Sequence, residues 1–445
     1  MKPPALPWQS SEALVARTAR GFACTQASRP ESGFRSSRPL LRLWVDGVAL
    51  AIACLGTGSA QESGDTGDGP SETPPIVQRG SWPGFLRGEN EGFARRVQVV
   101  GDLAYLADDG IGLQIIDVSD PDHPEWLGTF NTAWGPYAVQ VVGNTAYLAA
   151  FLAGLQIVDV SDPSSPKLVS QQYFGFEHMD VCVAGNLAYV ASFGSGLYIL
   201  DVSDPANPTS TGRYNPGFPA ISVSVAGNRA YVGAGGLEIL DVTAPASPVL
   251  LGEGYGGIAR DVEVVGSLAY VATYYGLTVY DVSDPTKPDW LYPHNRYDPY
   301  FRTARGVQVV GNLAYVASDE GGLLVVDVSD PRQLSPAGGY DTDGTAYDVQ
   351  IVGNLAYVAD GENGLVILEL PFPAILTDRD NFGVIGSEFG FSVGGRAGKT
   401  VIVEGSIDLQ QWLPLETHTM GDAPWRFNDP EWEQFPGRFY RVRLE

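Results

Sequence analysis

The chain has 445 residues, 44% of them hydrophobic, which is room for two or three domains with a sizeable core and excludes a disordered chain despite 54 Gly and 32 Pro. Its formal net charge of -25 repels a continuous phosphate backbone, so no nucleic acid is expected as a partner. So much Gly and Pro predicts many tight turns and therefore short strands.

Residues 1–60 are more basic than acidic, unlike the rest. Arg38 and Arg42, the apolar run Val45–Leu55 and the small-residue stretch "GSAQ" predict a signal peptide cleaved after Ala60. Asp46 interrupts the run, which is also too short to span a bilayer, so no transmembrane segment is expected in the mature chain. A rival reading is "AIAC", Ala51–Cys54, which resembles a bacterial lipobox and implies a lipid anchor at Cys54. Both readings put the protein outside the cell or in the bacterial cell envelope. Loss of the leader removes Cys24 and Cys54 and leaves Cys182, in the apolar "VCVAG", as a small buried hydrophobe. Residues 61–75, "QESGDTGDGPSETPP", are acidic, lack an apolar period and read as a flexible linker.

A phrase then recurs seven times. Its glycines are Gly101, Gly143, Gly185, Gly227, Gly266, Gly311 and Gly353, and Tyr follows four residues later in every copy, from Tyr105 to Tyr357. Each copy offers four strands, in the first about Arg95–Val100, Leu103–Ala107, Leu113–Val118 and Trp126–Phe130, and no space for a helix. The third turn, "SDPDHP", combines an Asp that can bond its own backbone with Pro at fixed φ. In "LAYLA" both faces of the strand are apolar, so both must be covered. Four-stranded sheets packed radially supply that cover. The fold class expected is all-β: a seven-bladed β-propeller of four-stranded antiparallel blades over residues 76–371, plus a small C-terminal β domain over 372–445. The seventh copy ends at "GLVILELP" without its fourth strand, and Ile76–Gly80 is expected to supply it and close the ring.

"GLLVVDVSDP" and "GLVILEL" resemble the LVIVD repeat family over roughly Arg95–Leu370. The resemblance implies a β-propeller of a bacterial or archaeal surface or secreted protein, and it implies no shared catalytic residues. The recurrent Asp117, Asp159, Asp201, Asp241, Asp281 and Asp327 end the third strands, where repetition at symmetric positions favours a structural hydrogen bond over catalysis.

After Pro371 the period stops. Candidate strands Phe389–Val393, Thr400–Glu404, Leu413–Thr417 and Phe439–Leu444 form a sandwich-like module. Ser406, Asp408, Leu409, Trp412, Phe427, Asp429 and "RFYR" resemble a small all-β module of secreted planctomycete and verrucomicrobial proteins. Trp412 and Phe439 read as core. "GGRAGKT", Gly394–Thr400, lacks the first glycine of a phosphate loop and leads into a strand rather than a helix.

Signals for chemistry are sparse. His123, His178, His294 and His418 have no metal-ligand spacing, so neither a metal nor another cofactor is expected. The acidic second turns "DDG", "SDEGG" and "DGEN" lack the full calcium-loop pattern and read as solvated turns. Function is sought instead where the copies disagree. Six residues before each repeat glycine, at the entrance to the innermost strand, stand Arg95, Tyr137, Met179, Ile221, Arg260, Arg305 and Tyr347; the next position holds Arg96, Asp180, Asp261 and Asp348 among others. With His178, these groups would surround the channel mouth. Arg95, Arg260 and Arg305 would lie on one side with Tyr347 between them, suited to a protein or acidic glycan carboxylate. The competing reading is that Asp261 and Asp348 neutralise the patch internally. The connection Asp289–Gly306 adds Trp290, Tyr292, His294, Tyr297, Tyr300 and Phe301 as candidate anchors or a satellite core. The leading expectation is a non-catalytic binding and scaffold propeller. The alternative is an extracellular polysaccharide hydrolase or lyase using Asp180, Asp261 and Asp348.

Overall fold

In the computed structural model the repeats become seven four-stranded antiparallel sheets, each with its strands in radial order. Blade one holds Ala94–Val100, Leu103–Asp108, Gly112–Asp117 and Glu125–Asn131. The innermost strands of blades two to seven are Ala138–Val142, His178–Ala184, Ser222–Ala226, Ala259–Val265, Gly306–Val310 and Asp348–Val352. The seven repeat glycines all have φ between 59° and 62°, the left-handed conformation that the two-residue hairpin demands and that only Gly adopts without strain.

Apolar residues on both faces of each strand pack between blades. Tyr105, Ala107, Leu113 and Ile115 of blade one share a core with Val139, Val141, Ala146 and Leu148 of blade two. Ala104, Leu106 and Ile116, on the opposite face, pack on Tyr357, Ala359, Leu365 and Ile367 of blade seven. The repeat tyrosines are thus core residues, 3–5% exposed. The recurrent aspartates cap their own turns: Asp117 accepts from Ser119 N–H at 2.9 Å, and Asp159, Asp201, Asp241, Asp281 and Asp327 repeat the bond.

Blade seven pairs Asp348–Val352, Leu355–Ala359 and Leu365–Glu369, and its outer strand is Val77–Trp82 from the other end of the chain. Trp82 completes the core shared by blades seven and one, and the ring is closed. The C-terminal domain has two small sheets. Glu388–Gly394 pairs with Ala374–Leu376, Phe382–Ile385 and Trp425–Asp429, while Thr400–Ser406 lies between Leu413–Thr419 and Phe439–Leu444. Phe389, Phe391, Val401, Phe427 and Tyr440 form its core, and the Tyr440 hydroxyl donates to Asp429 at 2.6 Å.

The residues described are 44–45, 48–49, 76–84, 86–87, 90–175, 177–215, 217–292, 303–371, 374–376, 382–385, 388–395, 398–407, 412–421, 424–431 and 439–444. Most of the stretch expected to be a signal peptide, the lipid anchor expected at Cys54, the stretch read as a linker, the 293–302 part of the long connection and the side chain of Phe439 lie outside them. Among the described residues no helix is long and apolar enough to cross a membrane.

Candidate functional site at the channel mouth

Alternation along the start of each innermost strand sets three layers. The first residue is buried between blades, the second faces the mouth and the third faces the channel. Arg95, Tyr137, Met179, Ile221, Arg260, Arg305 and Tyr347 together line one cavity of about 220 Å³. Blades five, six, seven, one and two contribute cations and tyrosines, while blades three and four contribute the apolar Met179 and Ile221.

Four of the mouth residues, Arg95, Tyr137, Arg260 and Arg305, meet the residue fourteen positions later, at the turn between the second and third strands. Arg95 donates to Asp109 at 2.8 Å, and Arg305 donates to Asp319 at 2.9 Å. Tyr137 stacks on Phe151 with centroids 5.1 Å apart. At the same offset from Arg260 stands Tyr274, whose ring meets the guanidinium at 5.5 Å but cannot neutralise it. Nη1 of Arg260 is buried and finds no hydrogen-bond acceptor among the described residues. Burial, and then the nearby guanidinium of Arg305, hold its pKa below the usual arginine range. Tyr347 lies between two cations, 4.0 Å from Arg305 and 5.2 Å from Arg95, and Arg95 also covers Tyr137 at 4.1 Å.

The acids of the channel layer do not reach Arg260. They converge on Arg96, which bonds Asp261 at 3.2 Å and lies 3.6 Å from Asp348. Burial opposes the charge of Arg96, but Asp261, Asp348 and Asp180 outweigh it and raise its pKa. Their remaining lone pairs hold the ring together. Asp180 accepts from Val223 N–H of the next blade at 2.8 Å, Asp261 from Val307 at 3.0 Å and Asp348 from Val97 at 3.0 Å. Burial pushes Asp180 up to about 6 and raises Asp348 as well. The three carboxylates nominated for glycoside chemistry are therefore engaged by backbone donors and, for Asp261 and Asp348, by Arg96. Internal neutralisation does occur, but through Arg96 and one layer below the mouth.

Deeper still, the channel side chains imitate a β-ladder. Gln98 accepts from Val141 N–H at 2.5 Å, Gln140 from Val183 at 2.5 Å and Gln350 from Val99 at 2.5 Å; Gln308 accepts from Ile351. Glu263 occupies this position in blade five, accepts from Val309 and is pushed up to about 8 by burial. Cys182 occupies it in blade three, its thiol pushed up to about 11 by burial. This layer borders a second cavity of about 260 Å³.

His178 is a correction. It is fully buried rather than at the mouth, and its ring stacks on Phe174 with centroids 5.5 Å apart. The reason is register: it precedes the mouth position, where Ala94, Ala220, Ala259, Ala304 and Ala346 are buried in other blades. The acidic turns are also accounted for. Asp109 and Asp319 hold the mouth arginines, Asp108 accepts from Phe93 and Gly110 N–H, and Asp360 accepts from Thr342 at 2.5 Å. Among the described residues no three His, Cys, Asp or Glu side chains are grouped to hold a metal ion. Trp290 is not free as an anchor: its Nε1–H donates to Thr278 at 2.6 Å and its ring stacks on Tyr280.

The LVIVD repeat model matches residues 91–132, 137–172, 177–216, 219–253, 256–291, 301–342 and 343–370, one match per blade. No curated protein matches the chain. Among solved structures, the β-propeller domain of Myceliophteria thermophila Cps50 (Swd1) is similar at 13% identity and a TM-score of 0.53, covering 66% of this chain and 100% of its own. The WD40 repeats of RRP9 are similar at 10% identity and a TM-score of 0.51, covering 64% of this chain and 96% of theirs. At such identity the likeness is one of fold alone.

Proposed function

The chain belongs to the LVIVD repeat family, and from that premise we propose that it is a binding propeller whose channel mouth seats a carboxylate. The observation that carries the reading is Arg260, a mouth guanidinium whose buried Nη1 has no acceptor among the described residues. Arg305 beside it shares its one acid, Asp319, so the pair carries net positive charge. In an acidic protein such a patch is a focused field, and a guanidinium fork matches a carboxylate in two parallel hydrogen bonds. The lowered pKa adds a physical motive, since a bound anion relieves both the burial cost and the repulsion from Arg305. The basic, apolar leader-like segment supports a secreted or cell-envelope setting for this binding.

Isothermal titration with a monomeric hexuronate and with the matching neutral hexose tests the reading. The uronate binds and the hexose does not, and Arg260→Ala weakens uronate binding by about tenfold or more, the loss of one charged hydrogen-bonding partner. Equal heats for both sugars, or an Arg260→Ala variant that binds as the parent does, would refute the carboxylate seat.

A further inference from the structure

The mouth face carries more than the cationic seat. In an antiparallel blade the start of the innermost strand, the turn between the second and third strands and the end of the outer strand share one edge. Exposed aromatic side chains collect on that edge in blades two to five, beginning with Trp134, which leads into blade two. Tyr173 leads into blade three and Phe193 is on its turn; Phe218 leads into blade four, Tyr255 leads into blade five, and Tyr274 and Tyr275 are on its turn. Tyr255 is 72% exposed, Phe218 62% and Tyr274 57%, unusual for rings of this size on a soluble surface. This arc adjoins the apolar side of the mouth, Met179 and Ile221, and ends at Arg260 through Tyr274.

Two of these rings lie on glycine. A Cβ at Gly235 would come within 3.0 Å of the Phe218 ring, and one at Gly257 within 3.0 Å of the Tyr275 ring. Glycine below lets each ring rest against backbone and supports it on that side. The result is a row of exposed rings along one edge, of which Tyr274 and Tyr275 pack edge to face with centroids 5.5 Å apart. A peptide docking by apolar side chains needs concave pockets to fill. A pyranose ring presents a flat face of C–H bonds with polar hydroxyls at its rim, so it can cover an aromatic platform while its edges stay in water.

We propose that the mouth face binds a chain of acidic sugar residues, with one uronate carboxylate on Arg260 and neighbouring sugar rings stacked on the exposed aromatic rings of blades three to five. This rests on the carboxylate seat proposed above and assigns its ligand class. Neither half of the surface suffices. A neutral glycan leaves Arg260 unpaired, and an isolated carboxylate leaves the rings uncovered.

The test uses the full chain and titrates galacturonate monomer, galacturonate oligomer, a neutral glucan oligomer and an aspartate-rich peptide. The variants are Arg260→Ala and the double variant Phe218→Ala, Tyr255→Ala, whose exposed positions leave the core untouched. The oligomer is expected to bind at least about tenfold tighter than the monomer, with the neutral oligomer and the peptide weaker than it. The aromatic double variant removes the gain from chain length and leaves the monomer unchanged, while Arg260→Ala weakens both. If the monomer depends on Arg260 but the oligomer binds no tighter, or ignores the aromatic double variant, the glycan assignment falls and the seat stands. A peptide that matches the oligomer and ignores the aromatic variant also overturns the assignment. If neither uronate depends on Arg260, the seat itself falls, and the glycan assignment with it.

Discussion

One residue separates blade five from blades one and six. Where Asp109 and Asp319 stand opposite Arg95 and Arg305, Tyr274 stands opposite Arg260. Tyr274→Asp should therefore give Arg260 the partner the other two possess and reduce uronate binding by about tenfold or more, without removing any cation from the mouth. Titration of that variant checks the claim, and unchanged affinity would contradict it. A second departure is Glu263, which stands where Gln98, Gln140, Gln308 and Gln350 serve the other blades. Its carboxyl is raised to about 8, so the neutral form is favoured in the fold and its contribution fades as pH rises through that value. Glu263→Gln should raise stability at pH 9 by roughly 1–3 kcal/mol and change little at pH 5, as read by urea unfolding. Equal effects at both pH values would contradict the assignment. The mouth column was legible in the sequence because it is the variable position of an otherwise fixed phrase. Its pairing was not, because the partners lie one hairpin away. The offset of fourteen residues was nevertheless there to be read, Asp after Arg95 and Arg305 but Tyr after Arg260. The buried place of His178 is marked in the sequence by its register, since five other blades hold Ala at that position.

At the scale of the element, the repeated Ser-Asp-Pro turn does more than end a strand. Its Pro carbonyl faces the outer strand of the preceding blade. A Cβ at Gly128 would lie 2.3 Å from Pro163 O, one at Gly212 2.0 Å from Pro245 O, one at Gly252 2.4 Å from Pro285 O, and one at Gly80 2.3 Å from Pro121 O. Blade two has Ser170 at this position, and its hydroxyl donates to Pro205 O at 2.6 Å. Blade six differs, since blade seven lacks the turn, and Gly338 meets only Ile76 at 3.9 Å. Gly252→Ala should therefore cost about 1–3 kcal/mol as the strand and turn are forced apart, whereas Gly338→Ala at the equivalent position should cost less than about 0.5 kcal/mol. Urea unfolding of both variants decides the matter, and equal losses would show that the turn contact is not the cause. The closing strand was foreseeable because a repeat without its fourth strand leaves an unpaired edge. The turn-to-strand contact was not, because it joins residues of different copies and carries no period of its own. Trp425–Asp429 adds a strand beyond the four expected ones: its Trp425 and Phe427 alternate with polar residues, but the run is short and stops at Asp429-Pro430.

For the molecule as a whole, the balance of buried acids sets the response to pH. Asp180 and Asp360 are raised to about 6, Glu238 to about 7 and Glu263 to about 8, each chiefly by burial. A carboxyl raised in the fold stabilises most below its unfolded pKa and loses that contribution as pH climbs through the folded value. The turn aspartates act in the opposite sense: Asp117, Asp159, Asp201 and Asp241 are lowered by bonds from Ser or Thr and weaken the fold only as pH falls below the usual carboxylate range. Self-repulsion in a chain of net charge -25 adds to the alkaline side. The melting temperature is thus expected to peak near pH 4–5 and to fall steadily toward pH 9, as followed by circular dichroism. A melting temperature that rises between pH 5 and pH 8 would contradict this balance. The closed ring also gathers seven variable residues, one per blade, at a single opening, where the proposed carboxylate seat lies. The most direct test is a crystal structure with a soaked uronate. The carboxylate should lie in two parallel hydrogen bonds of about 2.7–2.9 Å with the Arg260 guanidinium. A uronate bound elsewhere with the mouth empty, or a neutral hexose held at the mouth equally well, would contradict it.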